Sequence, residues 1–326
     1  MIISRSPLRI SLGGGGTDLP SYSNKYGGYV LSAAIDKYIY VSANRPFEQR
    51  IKLKYSDIEE VQEISEIRHP LIREVLRTFD LRTPQIEIAS LADIPAGTGL
   101  GSSGSFTTCL IKTLSLHYRM PLGNAEIAKL ACKIEIEILG EPVGKQDQYI
   151  SAIGGLTEFY FNQDGSVEYS QLPVSMETIF DLEDHLLLFF TGASRSASAV
   201  LKDQDSKSNL SDETMLSSLH NTKELGKEIR KILLGNQTYE FGLLMHEHWM
   251  NKRKRSNGIS NDFVDEVYDG ALQNGAVGGK LVGAGGGGFL LFYAQDKQKL
   301  RSFMNSKNLP EIRFKFDFEG TKAVLN

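Results

Sequence analysis

The pattern of apolar and polar positions divides the chain into recognisable pieces. Residues 1–12 alternate weakly and run into four consecutive glycines at 13–16, a strand entering a loop. Residues 29–43 are rich in β-branched and aromatic side chains and predict a pair of strands. Residues 51–55 and 85–91 alternate cleanly, and 155–161 and 185–190 are dense apolar runs; all four predict strands. Helical spacing marks 70–79, with Pro70 in its first turn, then 105–118, and then a helix capped by Asn124 and reaching about Leu139. Beyond about 196 the helical period dominates, over 212–233, 238–255 and 261–273. Strands follow near 277–282 and 289–293, a helix near 297–306, and strands near 312–317 and 321–325. There is no internal repeat. Mixed elements without a regular βαβα beat predict an α+β protein in two parts, 1–180 and 181–326, with the boundary near 175–185.

The chain has 326 residues and a net charge of −4, which argues against a general nucleic-acid binder. The longest apolar runs, such as 186–190, fall far short of the roughly 20 residues of a membrane helix. The N-terminus has no apolar core of a signal peptide. Cys109 and Cys132 lie in apolar, helix-like stretches and read as buried thiols, so a reducing cytoplasm is the simplest compartment.

Glycine changes the picture more than charge does. There are 31, against roughly 23 expected from average usage, and the excess is clustered at 13–16, 97–104, 140–155 and 275–288. These clusters are not low-complexity linker tracts, so the backbone turns tightly there or approaches a ligand.

Three phosphate-loop templates discriminate among the clusters. Gly275 to Lys280 has one residue too few for a Walker A loop. Gly283, Gly285 and Gly288 fit G-x-G-x-x-G, but the apolar residues that follow predict a strand rather than the required helix. A glycine-rich turn between two antiparallel strands fits better. The segment from Pro95 to Ser105 is different. Gly97, Gly99 and Gly101 allow backbone N–H groups to converge, and Ser102 and Ser103 add hydroxyls just before a helix N-terminus. That is the chemistry of a triphosphate cradle. Downstream, Asp147 follows Gly140 and Gly144 on a loop or helix start, where it fits either a cap or a base. Glu135 and Glu137 read alone as one partly buried and one solvated carboxylate.

Taken together and in order, these segments resemble the kinases of the galactokinase, homoserine kinase, mevalonate kinase and phosphomevalonate kinase (GHMP) superfamily. The resemblance rests on Pro7-Leu-Arg9 through Gly16-Thr17-Asp18, on Pro95 through Ser103, and on the glycine turn at 283–288, and it covers nearly the whole chain. Within the superfamily the chain is most similar to sugar anomeric kinases acting on heptose 7-phosphate. Residues 7–20, Gly144 to Tyr149, His246 to Lys252, Gly258 to Asn261 and Gly278 to Gly288 carry that similarity. The kinase part of fucokinases is similar at the first motif.

The resemblance implies a first domain with a mixed sheet and a left-handed βαβ unit, and a ferredoxin-like α/β sandwich as the second, with the active site between them. It implies Mg²⁺-dependent transfer from ATP to the anomeric hydroxyl of a heptose 7-phosphate. By the same resemblance Asp147 faces the acceptor hydroxyl and Arg9 supports it and neutralises the transferring phosphoryl group. Ser103 and Glu135 match the Mg²⁺ ligands. Pro95, Ala96, Gly97, Thr98, Gly99, Leu100, Gly101, Ser102, Ser103 and Gly104 form the ATP loop. Asp18, Gly15, Gly16 and Thr17 match the sugar site, and Gly285 and Gly286 close it.

His248, Lys252 and Arg255 recur at i, i+4 and i+7 and share one helix face. Lys252 and Arg255 fit either a solvated helix end or a pocket for the substrate's own distal phosphate. His246 and His248 are too close in sequence to chelate zinc from a helix. The expected partners are ATP and a sugar phosphate, with no nucleic acid and no membrane. The rival readings are another sugar kinase of this fold, such as a fucokinase, and a catalytically silent sugar or nucleotide sensor.

Overall fold

A computed structural model of the chain describes residues 1–79, 85–192, 198–210, 212–255 and 258–325. The strands are β1 (Ile2–Gly13), β2 (Gly28–Asn44), β3 (Ile51–Lys54), β4 (Ile58–Val61), β5 (Ile86–Ala92), β6 (Leu156–Phe161), β7 (Val167–Gln171), β8 (Leu186–Phe190), β9 (Ala276–Leu281), β10 (Phe289–Ala294), β11 (Glu311–Ile312) and β12 (Lys322–Leu325). The helices are α1 (Pro20–Tyr26), α2 (Pro70–Thr78), α3 (Ser102–His117), α4 (Asn124–Cys132), α5 (Gln146–Ile153), α6 (Met176–His185), α7 (Ser198–Asn209), α8 (Glu213–Leu234), α9 (Thr238–Arg253), α10 (Asp262–Gln273) and α11 (Lys297–Ser306).

The first sheet has the order β12-β1-β2-β5-β3-β4, with β6 and β7 branching from β2. The pair of strands expected over 29–43 is one 17-residue strand. Along one edge its first half pairs with β6 and its second half with β5, both antiparallel, while β1 pairs along the other edge, so one long strand serves three partners. The parallel pair required by a βαβ unit is β3 with β5, and α2 lies in their connection. The second sheet has the order β11-β8-β10-β9 and is antiparallel throughout, the strand order of a ferredoxin-like fold with α7 to α10 and α11 as its crossovers. The α+β class and the sandwich expected for the second half are therefore present.

Burial explains the uninterrupted apolar runs of the second sheet. Leu186, Leu188, Phe289, Leu291 and Tyr293 join the large core shared with β1 and β2. Their alternates Leu187, Phe189, Leu290 and Phe292 join a second core against Trp249 of α9, Tyr268 of α10 and Leu300 of α11. Both faces are covered, so neither needs polar residues.

Three local departures from the sequence reading bear on the site. α3 begins at Ser102 rather than 105, because Gly101 takes a left-handed conformation (φ +77°) that ends the loop three residues earlier. Asn124 is the first helical residue and not the cap; the Glu126 carboxylate accepts from the Gly123 N–H at 2.7 Å, and Asn124 Nδ2 donates to Ala152 O. The helix then continues as a π-helical turn over Lys133–Ile138 that carries Glu135. Near the C-terminus, the strand expected over 312–317 shrinks to Glu311–Ile312. Phe316 bridges Ile35 of β2 instead, and the chain crosses back so that β12 completes the first sheet.

Candidate active site

The elements converge on a cavity of about 810 Å³. Its lining draws on the loop after β1, the start of α3, the π turn, α5, α7, α9 and the end of β9, so both sheets contribute. Two glycine-rich loops form one wall by touching backbone to backbone. A Cβ on Gly288 would lie 2.2 Å from Thr98 O, and one on Gly283 would lie 2.6 Å from Gly99 Cα. No other residue permits that approach.

Arg9 and Asp147 meet in this cavity. Arg9 Nε donates to Asp147 Oδ1 and Nη2 to Oδ2, both at 2.8 Å, the two-pronged fit of a guanidinium to a carboxylate. The third arm, Nη1, donates to Gly99 O at 2.5 Å, tying the pair to the loop that precedes α3. Asp147 is the second residue of α5 and its side chain remains 29% exposed, open to a ligand from the cavity, whereas Arg9 is buried.

Ala96, Gly97, Gly99, Gly101, Ser102 and Ser103 line the cavity, with the last two opening α3. Pro95, Thr98, Leu100 and Gly104 shape the loop from behind. Thr98 Oγ1 donates to Pro95 O, Leu100 O accepts from the Arg9 N–H, and Gly104 packs against the Asp147 backbone.

Ser103 Oγ donates to Glu135 Oε2 at 2.5 Å, and Gln148 Nε2 donates to Oε1 at 3.1 Å. Burial raises the Glu135 pKa above the usual carboxylate range, partly offset by the hydrogen bonds from Ser103, Gln148 and Thr107. Glu137 is exposed on the far side of the turn. No group of three or more His, Cys, Asp or Glu suited to a metal occurs among the described residues. Two oxygen ligands do fit a hard divalent cation that takes its remaining ligands from phosphate and water.

Asp18, Gly15 and Gly16 line the cavity. Asp18 Oδ2 accepts from the Gln146 N–H at 3.0 Å and Oδ1 from the Gly16 N–H at 3.1 Å. Burial raises its pKa, opposed by the Gln146 N–H and reinforced by Asp147. Thr17 turns inward and pins the loop to Gly14 O and Tyr29 O. Gly285 and Gly286 lie outside the lining, held against Ile259, whose carbonyl accepts from the Gly286 N–H at 3.0 Å.

The cationic part of the lining is larger than the helix face suggested. His248, Lys252 and Arg255 are joined by Lys280 of β9, and all four are buried. Among the described residues none of the four forms a salt bridge. Lys252 Nζ donates to Leu281 O at 3.2 Å and to Gly283 O, and Lys280 Nζ to Leu12 O at 2.8 Å. Arg255 donates to Ser218, Thr222 and Gln204, and Gln204 of α7 also reaches Gly16 O. Both ring nitrogens of His248 are buried without a hydrogen-bond partner. Burial, then the neighbouring cations, hold the pKa values of His248 and Lys252 well below their ordinary values. Burial, then Arg9, brings Lys280 down to about 7, and burial brings Arg255 down to about 10. The sequence signal for Lys280 was a lysine inside an otherwise apolar and glycine-rich strand; Gln204 had no such signal.

A further stretch of lining was not foreseen. Ile39, Tyr55, His69, Leu91, Ile94 and Phe106 present an apolar and aromatic surface, with the His69 ring 4.8 Å from Tyr55 and 5.4 Å from Phe106. Burial lowers the His69 pKa, which favours the neutral ring.

Comparison with known proteins agrees with this geometry. The family pattern described as GHMP kinases N terminal domain matches residues 69–155, and that described as GHMP kinases C terminal matches 219–310. The D-glycero-alpha-D-manno-heptose 7-phosphate kinase of Campylobacter jejuni is 30% identical, over 99% of this chain and 98% of that protein. The chain belongs to the GHMP kinase family. The crystal structure of a D-glycero-D-manno-heptose 1-phosphate kinase from Bacteroides thetaiotaomicron matches this GHMP kinase with a TM-score of 0.82 and 28% identity, covering 99% of this chain and 98% of that one. The L-fucokinase/L-fucose-1-P guanylyltransferase of Bacteroides fragilis is 27% identical over 97% of this chain, but only 37% of that longer protein. Among the described residues no helix of this GHMP kinase is long and apolar enough to cross a membrane.

Proposed function

We propose that this kinase transfers the γ-phosphoryl group of ATP to the anomeric hydroxyl of D-glycero-D-manno-heptose 7-phosphate, giving the 1,7-bisphosphate. The observation that carries the substrate class is the buried group of Lys252, Arg255, Lys280 and His248, which has no carboxylate partner among the described residues. Buried cations without counter-charge are costly, and a dianionic phosphate on the acceptor is the simplest ligand that offsets them. An unphosphorylated sugar such as fucose would leave them unmatched. The resemblance to the heptose 7-phosphate kinase of C. jejuni supports the same choice.

In this reading Asp147 faces the acceptor hydroxyl and takes its proton as the oxygen attacks the γ-phosphorus. The new O–P bond forms as the bond to the bridging oxygen of ADP breaks, and ADP leaves with that electron pair. Arg9 holds both carboxylate oxygens of Asp147 and presents positive charge to the transferring group. Backbone N–H groups of Gly97 to Ser103 cradle the phosphates at the N-terminus of α3. Mg²⁺ carried with ATP would be held by Ser103 and Glu135, where it offsets the triphosphate charge. The aromatic surface around Tyr55, His69 and Phe106 suits a flat base. A cytoplasmic setting fits ATP use and the two buried free thiols, and the product would feed nucleotide-activated heptose for cell-surface glycans.

The test is ADP release with heptose 7-phosphate, heptose and fucose, followed by ³¹P NMR of the product. Preferred turnover of heptose 7-phosphate with a new anomeric phosphate is expected. Equal turnover of fucose would instead favour a fucokinase-like activity.

A further inference from the structure

We propose that Gln146 reads the sugar hydroxyl next to the one that is phosphorylated, and that Ser11 completes its recognition. The inference rests on the sugar-kinase reading above and adds to it a specificity-determining residue.

Gln146 occupies the first position of α5, between the two carboxylates of the site. Its backbone N–H donates to Asp18 Oδ2 at 3.0 Å, and its side-chain Nε2 donates to Asp147 Oδ1 at 3.1 Å. An ionised carboxylate only accepts, so the contact with Asp147 fixes which end of the amide is nitrogen. The other end, Oε1, is buried, lines no protein donor, and belongs to a residue of the cavity wall. A buried acceptor left unpaired is costly, and such groups are rare unless a ligand or water completes them.

A second orphan lies close by. Ser11 Oγ is also buried without a partner, and Ser11 also lines the cavity. Gly15 marks the space between the two. A Cβ there would lie 2.9 Å from Ser11 Oγ and 3.7 Å from Gln146 Oε1. A side chain at 15 would crowd Ser11 Oγ and lie beside Gln146 Oε1, and its absence leaves on the cavity wall the niche proposed for a hydroxyl. A hydroxyl in that niche can donate to Gln146 Oε1 and accept from Ser11 O–H, which satisfies both. One carboxamide therefore touches the carboxylate facing the reacting hydroxyl at one end and the niche at the other. That span matches two hydroxyls on adjacent carbons, which places the second at C2 of an aldose.

The experiment compares heptose 7-phosphate with its 2-deoxy counterpart in the wild type, Gln146→Met and Ser11→Ala. The wild type should lose about 10- to 100-fold in kcat/KM on the deoxy sugar, because the deoxy ligand leaves a buried acceptor unpaired. In Gln146→Met the two sugars should differ by less than about threefold, since the discriminating acceptor is gone. A purely structural glutamine would lower both activities by one common factor and keep the ratio; that result overturns the proposal, as does a wild type indifferent to the 2-hydroxyl. Ser11→Ala makes a smaller lesion and should narrow the ratio partway, which keeps the test decisive if Gln146→Met folds poorly; an unchanged ratio in Ser11→Ala then overturns the assignment. If another aldose is the one turned over, the heptose reading falls and the same ratio is measured on that sugar and its 2-deoxy form. If no aldose is turned over, both readings fall.

Discussion

Two charged regions share one cavity and are built on opposite plans. Arg9 and Asp147 neutralise each other through a two-pronged contact, with Gly99 O holding the guanidinium in place. Lys252, Arg255 and Lys280 donate to carbonyls, hydroxyls and one amide, His248 has no hydrogen-bond partner, and no carboxylate among the described residues pairs with any of the four. The first region is satisfied internally, without a ligand. The second carries an electrostatic cost in the free protein that an anionic ligand relieves. Under the proposed function, the contrast separates a region that acts on the reacting atoms from one that selects what enters.

The largest effect should come from breaking the compensated pair. Asp147→Asn keeps the shape but removes the proposed proton acceptor, so kcat should fall by about 10²- to 10⁴-fold with the sugar KM changed little. Near-normal turnover in that variant would end the assignment of Asp147 to the reacting hydroxyl. Lys252→Met probes the other plan. The KM for the sugar phosphate should rise about 10- to 100-fold, the loss expected for one charge-assisted contact. The same change should raise the melting temperature of the free protein, because replacing a buried, unmatched charge with an apolar group often stabilises by about 1 kcal/mol or more. A fall in both affinity and stability would make Lys252 a structural residue and collapse the comparison.

The two regions were not equally legible in the sequence. Arg9, Asp147, Ser103 and Glu135 sit in motifs whose residue order is itself the signal, and the structure brings all four to one cavity. Lys252 and Arg255 were visible through helical spacing, but spacing alone does not tell a solvated helix end from a buried pocket. That distinction depends on β9 and α8 packing against α9, which no local pattern encodes. Lys280 was hidden for the same reason, lying in a short edge strand whose role is decided by its neighbours. The short elements α1, β4 and β7 escaped because too few residues define a period, and the longer α6 and α7 escaped as well. The glycine clusters were located correctly, yet their purposes differ: Gly15 and Gly16 face the cavity, whereas Gly13 and Gly14 make room for Gly226 and Tyr29.

Both charged regions lean on the wall where the loops at 97–101 and 282–288 touch. Gly288→Ala would put a methyl group against Thr98 O at a φ of +104°, so it should cost about 1–3 kcal/mol in chemical denaturation. Gly140→Ala has open space around it and a φ of +66°, and should cost less. Equal losses would show that the wall is not what joins the two halves of the cavity.

The smallest expected effect is the most specific to the unmatched region, and it concerns pH. Lys280 is held down to about 7 by burial and then by Arg9, against an ordinary value of 10.5. Below about pH 7 it is protonated in both folded and unfolded chains and contributes no pH dependence. Between about 7 and 10.5 the unfolded chain binds the extra proton, so the stability of the free protein should rise with pH across that window. Sugar-phosphate binding should run the other way. A phosphate dianion favours the charged lysine, and loss of that charge above about pH 7 should raise the acceptor KM by roughly three- to tenfold between about pH 6.5 and 8. Lys252 and His248 face the same space with pKa values depressed for the same reason, and Arg255, at about 10, stays charged between about pH 6.5 and 8, so Lys280→Met should flatten both trends without abolishing them. Trends of equal sign would mean that the cations respond to the fold alone. Opposite signs, both reduced by one substitution, require that the charge burdening the free protein is the charge that holds the substrate.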